Sequence, residues 1–109
     1  MGVSTHVLDA ARGRPAAGVA VRLEHRTDDG AYAELARATT NDDGRVPAWP
    51  VTEPGTYRLV FDTGAYFAAR DQPAFYPEVT VTFAITAPAE PHHVPLLLSP
   101  FSYSTYRGS

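Results

Sequence analysis

The chain of 109 residues has no cysteine, and all nine of its Lys/Arg positions are arginine, so it has no lysine either. The first absence excludes disulfides, thiolate metal ligands and a cysteine nucleophile; the second excludes Schiff-base chemistry. An excess of either charge is also missing. Nine arginines stand against twelve acidic residues, for a formal net charge of -3 with no block of like charges, so nothing is basic enough to track a phosphate backbone. No segment approaches the roughly 20 apolar residues needed to cross a bilayer, and the first residues carry neither the basic nor the apolar region of a secretion signal. Met1-Gly2 is not followed by the hydroxyl residue that a lipid-anchor motif needs, since His6 stands at that position. The expectation is a cytoplasmic protein with no membrane and no nucleic-acid partner.

What is present is ordinary globular composition, 44% hydrophobic and 19% charged, in a length that suits one domain over 1–109 and is too short for two. Period-two alternation dominates. Val19, Val21 and Leu23 face one way and Arg22, Glu24 and Arg26 the other. The same pattern sets Tyr57, Leu59 and Phe61 against Arg58, Val60 and Asp62, and Val79, Val81, Phe83 and Ile85 against Glu78, Thr80 and Thr82. Weaker strands are predicted over Val3–Leu8, Tyr32–Thr39 and Val46–Val51, with two more over His92–Leu98 and Phe101–Arg107. Turn signals at Gly13-Arg14-Pro15, Asp28-Asp29-Gly30, Asn41-Asp42-Asp43-Gly44 and Glu53-Pro54-Gly55 separate them. About eight short strands so spaced predict an all-β sandwich of two sheets. One short helix is predicted over Thr63–Arg70, capped by Thr63 and ended at Gln72-Pro73.

The run Leu96-Leu97-Leu98 breaks the alternation, because three consecutive leucines place apolar side chains on both faces of one strand. The outer face must then be dried either by another subunit, packing through this strand and through Val3–Leu8, or by the chain's own helix. The final stretch carries aromatic and β-branched side chains up to Tyr106-Arg107-Gly108-Ser109. This predicts a tail pinned into a sheet rather than frayed, with its carboxylate held beside a histidine pair.

Four histidines occur. His25 reads as a strand-edge residue. His6 points away from the Val3–Val7 face and toward the side that carries Leu8, and His93 shares a face with Pro95 and Leu97. Imidazoles at an apolar seam cost desolvation unless a ligand or partner uses them. Arg45 follows a tight turn whose Gly44 can take positive φ, and a guanidinium beside two histidines and a polar tail makes a pocket for a small, planar, anionic or imide-like substrate. A zinc site from His6, His92 and His93 is the competing reading. It suffers because adjacent strand residues face opposite ways and no third ligand with useful spacing appears. No G-x-S-x-G elbow supports serine catalysis.

Three separated segments carry a resemblance. Ser4-Thr5-His6-Val7-Leu8-Asp9 with Gly13-Arg14-Pro15-Ala16, then Thr40-Asn41-Asp42-Asp43-Gly44-Arg45, then His93-Val94-Pro95-Leu96-Leu97-Leu98-Ser99-Pro100 with Tyr103-Ser104-Thr105-Tyr106-Arg107-Gly108-Ser109 are similar to the signatures of the 5-hydroxyisourate hydrolases, the transthyretin-related enzymes of urate breakdown. The match covers essentially the whole chain. Its most specific part is the Tyr-Arg-Gly-Ser end, by which the hydrolases are told from transthyretins. The family often has His-Tyr-His where this chain has Pro91-His92-His93. The histidine before Val-Pro is the one carried over, so His93 keeps the role and His92 inherits none.

The resemblance implies a transthyretin-like sandwich of two four-stranded sheets and one short helix, assembled as a homotetramer, a dimer of dimers, with its sites in the channel between dimers. It implies that His6, Arg45, His93 and Ser109 are catalytic and that the substrate is bound by these and by Tyr106, Arg107 and Gly108. No metal or organic cofactor is expected. The implied reaction adds water to 5-hydroxyisourate and opens its six-membered ring at an amide bond, giving 2-oxo-4-hydroxy-4-carboxy-5-ureidoimidazoline. A neutral imidazole can take the proton of the attacking water while a second holds or relays it, with either His6 or His93 as the base. Arg45 would stabilise the developing oxyanion or hold the anionic imide edge, and Ser109 with its carboxylate would position water or substrate. The alternatives are a transthyretin-like carrier of a small ligand, and an accessory β domain with no site.

Overall fold

A computed structural model describes residues 2–109; Met1, part of the expected 1–109 unit and of the Met1-Gly2 pair, lies outside the described residues. The elements are β1 (Val3–Asp9), β2 (Arg14–Pro15), β3 (Ala20–Arg26), β4 (Tyr32–Thr39), β5 (Gly55–Phe61), α1 (Thr63–Ala68), β6 (Val79–Ile85), β7 (His92–Leu98) and β8 (Tyr103–Thr105). They form two four-stranded sheets, ordered β2-β1-β7-β8 and β4-β3-β5-β6. The expected sandwich with one short helix is what the chain forms. Alternation does the sorting: Val3 and Val7, Val21 and Leu23, Leu59 and Phe61, and Leu96 and Leu98 all meet between the sheets.

Three local expectations are corrected. Val46–Val51 is not a strand. It follows β1 only through isolated bridges, His6 to Arg45 and Val3 to Trp49, because Pro47 and Pro50 have no N–H to give a continuous ladder. The two-residue β2 takes its place in the count and pairs Leu8 with Pro15 and Asp9 with Arg14. The helix ends at Ala68, and its N-cap is Asp62, whose carboxylate accepts from the Ala65 N–H, while Thr63 is buried.

β1 and β7 run parallel, in a register that pairs Ser4 with His93, His6 with Pro95 and Leu8 with Leu97. β7 is antiparallel to β8 from Leu98–Tyr103 to Leu96–Thr105. Pro95 breaks that ladder because it has no N–H, and its carbonyl accepts instead from the Thr105 hydroxyl at 2.7 Å. Pairing resumes in the same register two residues on, where the Gly108 N–H donates to the His93 carbonyl at 2.8 Å.

The triple leucine behaves as read, with Leu96 and Leu98 in the core and Leu97 half-buried on the outer face. The helix does not cover that face. Tyr66 of α1 is buried and donates its hydroxyl to Asp9 Oδ2 at 2.7 Å, and Asp9, like Thr5 and Val7, points inward.

Candidate active site

The outward face of the β2-β1-β7-β8 sheet carries its polar residues in rows set by strand register. One row runs from Arg45 across His6 to Pro95, and continuing the β7–β8 register puts Tyr106 next. The neighbouring row is Ser4, His93 and Gly108. A third row is apolar, with Leu8 beside Leu97. Rows two residues apart on a strand are spaced by roughly 6–7 Å, so His6 and His93 are diagonal neighbours that one small molecule can touch together.

Arg45 is placed by its turn. Asn41 Oδ1 accepts from the N–H groups of Asp43 at 2.9 Å and Arg45 at 3.0 Å, and Gly44 takes the expected positive φ of 76°. The Gly44 carbonyl accepts from the Val7 N–H at 2.8 Å, which docks the turn on β1 and sets Arg45 against His6. Any side chain at position 44 would run into the Val7 carbonyl. The arginine is exposed, whereas both histidines are half-buried.

His93 is held on two sides. Ser4 Oγ lies 2.8 Å from its Nδ1, and Gly108 packs so closely that a Cβ there would stand 2.5 Å from His93 Cδ2. Burial pushes the imidazole below the ordinary histidine value, and the electrostatic influence of Arg45 and then of His6 pushes the same way, against an opposing backbone hydrogen bond to Ser4. The ring is thereby favoured as a neutral base or donor at neutral pH.

A shallow depression of about 360 Å3 opens on this face, lined by Ser4, Arg45, Pro91, His93, Gly108 and Ser109. Of the residues named from sequence, it therefore gathers Arg45, His93, Gly108 and Ser109, while His6, bridged to Arg45, is not among its lining residues. Tyr106 and Arg107 instead line a second cavity of about 220 Å3 at the sandwich edge, with Phe83 and His92 among its walls. Arg107 reaches Glu90 there at 3.4 Å. His93 lines both. His92 points inward and is buried, so the two adjacent histidines do part company as strand geometry requires. Among the described residues no three His, Asp or Glu side chains come together to hold a metal ion. Sequence reasoning missed Ser4, although its period-two spacing from His6 already placed it on this face.

Residues 3–108 match the profile of the HIUase/Transthyretin family. The 5-hydroxyisourate hydrolase of Mus musculus is 49% identical over 98% of this chain and 94% of its own length. Among solved structures, Klebsiella pneumoniae 5-hydroxyisourate hydrolase is similar with a TM-score of 0.87 and 34% identity, covering 99% of this chain and 93% of that one. Sea bream transthyretin in complex with thyroxine is similar with a TM-score of 0.90 and 32% identity, covering 99% and 95%. The fold, the rows of the outer face and these likenesses agree: the chain belongs to the HIUase/Transthyretin family.

Proposed function

We propose that this chain hydrolyses 5-hydroxyisourate, a step of urate catabolism, opening the six-membered ring at an amide bond to give 2-oxo-4-hydroxy-4-carboxy-5-ureidoimidazoline. The observation that carries the reading is the meeting of two imidazoles, a guanidinium and the 108–109 tail on one sheet face. A relative 49% identical along nearly its whole length is named for the same reaction. In the reaction the oxygen of water adds to the amide carbonyl, its proton passing to one imidazole. The C–N bond then breaks, and the departing nitrogen takes a proton back. His6 and His93 handle these protons. Arg45, donor-only and always charged, faces the oxyanion or the imide edge. Gly108 and Ser109 border the same depression, and Tyr106 and Arg107 approach the substrate from the far side of His93. No metal or organic cofactor takes part.

The half-buried Leu8 and Leu97 beside the polar rows support a homotetramer, two dimers meeting over this face and closing the depression into a channel. The functional unit is the whole chain, 1–109, and it works in the cytoplasm without nucleic acid or membrane. Among the described residues no helix is long and apolar enough to cross a membrane. A carrier reading has support in the likeness to a transthyretin structure, but three ionisable groups on the face oppose it. The deciding experiment generates 5-hydroxyisourate in place with urate oxidase and follows its absorbance. Decay faster than the spontaneous rate is expected, and decay at the spontaneous rate overturns the hydrolase.

A further inference from the structure

His93 has more neighbours fixing its ring than a proton-transfer partner needs, and they determine its chemistry. Ser4 and His93 face each other directly across the β1–β7 register, with the hydroxyl 2.8 Å from Nδ1 in a partly buried setting. On another side Gly108 leaves no room: a Cβ there would lie 2.5 Å from Cδ2 and 3.2 Å from Cγ. A histidine χ2 is broad and roughly two-fold, so the ring has no strong preference of its own between orientations. Serine on one flank and a bare backbone on the other supply it. The edge left over is Cε1–Nε2.

We infer that Ser4 is a positioning residue that holds His93 in the tautomer with its proton on Nδ1, leaving the Nε2 lone pair to receive the proton of the attacking water. This rests on the hydrolase reading and assigns the base within it. A neutral imidazole has one N–H to donate. Arg45, which shares the depression with His93, offers donors and no acceptor, so it cannot receive an Nε2 proton. Ser4 can accept at Oγ, and its backbone also interacts favourably with the protonated ring. The charged or titratable groups acting on the ring, Arg45 and His6, both favour its neutral form, while Arg107 is turned to Glu90. Ser4 Oγ is the side-chain group within hydrogen-bond distance of the ring, so the Nδ1 proton is assigned to that contact and Nε2 is left free.

The test compares the protein with Ser4→Ala and Ser4→Thr, labelled with 15N-histidine, reading the two ring nitrogen shifts of His93 across pH together with kcat and KM for 5-hydroxyisourate. The parent and Ser4→Thr should show Nδ1–H and equal turnover. Ser4→Ala should lose the Nδ1–H preference and about ten-fold in kcat, the scale of one oriented hydrogen bond, with KM within about two-fold, because the serine hydroxyl is engaged by the His93 ring. Unchanged ring shifts or unchanged kcat in Ser4→Ala overturn the inference. Should alanine unfold the chain, Ser4→Val, which matches threonine in shape without its hydroxyl, makes the same comparison. A parent protein that leaves 5-hydroxyisourate decay unaltered sinks the hydrolase reading instead, and the ring shifts still decide the role of Ser4.

Discussion

Gly108→Ala isolates the fit between the tail and His93. Gly108 is not among the residues with positive φ, so alanine meets no backbone strain there, and the added methyl is the whole perturbation. Its Cβ would stand 2.5 Å from His93 Cδ2 and 3.3 Å from Pro95 Cγ. Carbon atoms settle at about 3.5–4.0 Å, and Pro95 blocks retreat on one side, so the imidazole has to give way by roughly 1 Å. A misplacement of that size at a reacting group costs about 100-fold in rate. The effect on folding should be small, because position 108 joins the sheet through one isolated bridge. Turnover of 5-hydroxyisourate generated in place should therefore fall about 100-fold, while the thermal midpoint stays close to that of the parent. Gly13→Ala is the control: φ there is 67° and nothing lies within 4 Å of the added methyl. It should cost roughly 1 kcal/mol of stability and leave turnover alone. Turnover of Gly108→Ala within about three-fold of the parent would refute the packing argument.

His6→Ala and His93→Ala should each abolish turnover while sedimenting as the parent does; normal turnover in either removes that imidazole from the mechanism. Tyr66→Phe should leave Asp9 Oδ2, 2.7 Å from the lost hydroxyl in a carboxylate only 1% exposed, without that donor. A loss of about 1–3 kcal/mol is expected in urea denaturation, and an unchanged midpoint would show the bond contributes nothing. Because burial and the electrostatic influence of Arg45 and His6 hold His93 below the ordinary 6.5, the unfolded chain binds the extra proton first on acidification. The ring's contribution to stability is complete above 6.5 and is lost as pH falls through the folded value. Arg45→Met should move the His93 titration, followed by NMR, upward, and a downward shift or none would contradict the assigned cause.

Much of this architecture could be read from residue order because burial imposes a period. Val21 and Leu23 or Leu59 and Phe61 had to face a core, and three leucines in a row had to leave one of them, Leu97, outside. Gly44 was legible because its turn needed φ that other residues resist. Pairing was not legible, since alternation says which face a residue takes and not which strand lies beside it. The parallel union of β1 with β7, and the two-residue β2 in place of a strand over Val46–Val51, are of that kind. The helix cap moved one residue because aspartate and threonine can both accept an N–H, and only the packed backbone selects Asp62. For the site, histidines and an arginine stand out by type, whereas Ser4 is an ordinary strand serine until β7 is laid against β1. That Tyr106 and Arg107 line a different cavity from Gly108 and Ser109 likewise depends on β6 of the other sheet lying beside the tail.

The parallel pairing also governs when a working centre can exist during folding. Ser4 and His93 are separated by 89 positions, and their contact requires that loop to be closed. Closure over such a span carries a large entropic cost and makes for slow acquisition of structure, and no hairpin or local cluster can supply a substitute. A chain that has built only its β4-β3-β5-β6 half is chemically silent. Onset of catalysis during refolding should thus lag behind the gain of strand signal, making enzymatic turnover itself a clock for the last long-range closure.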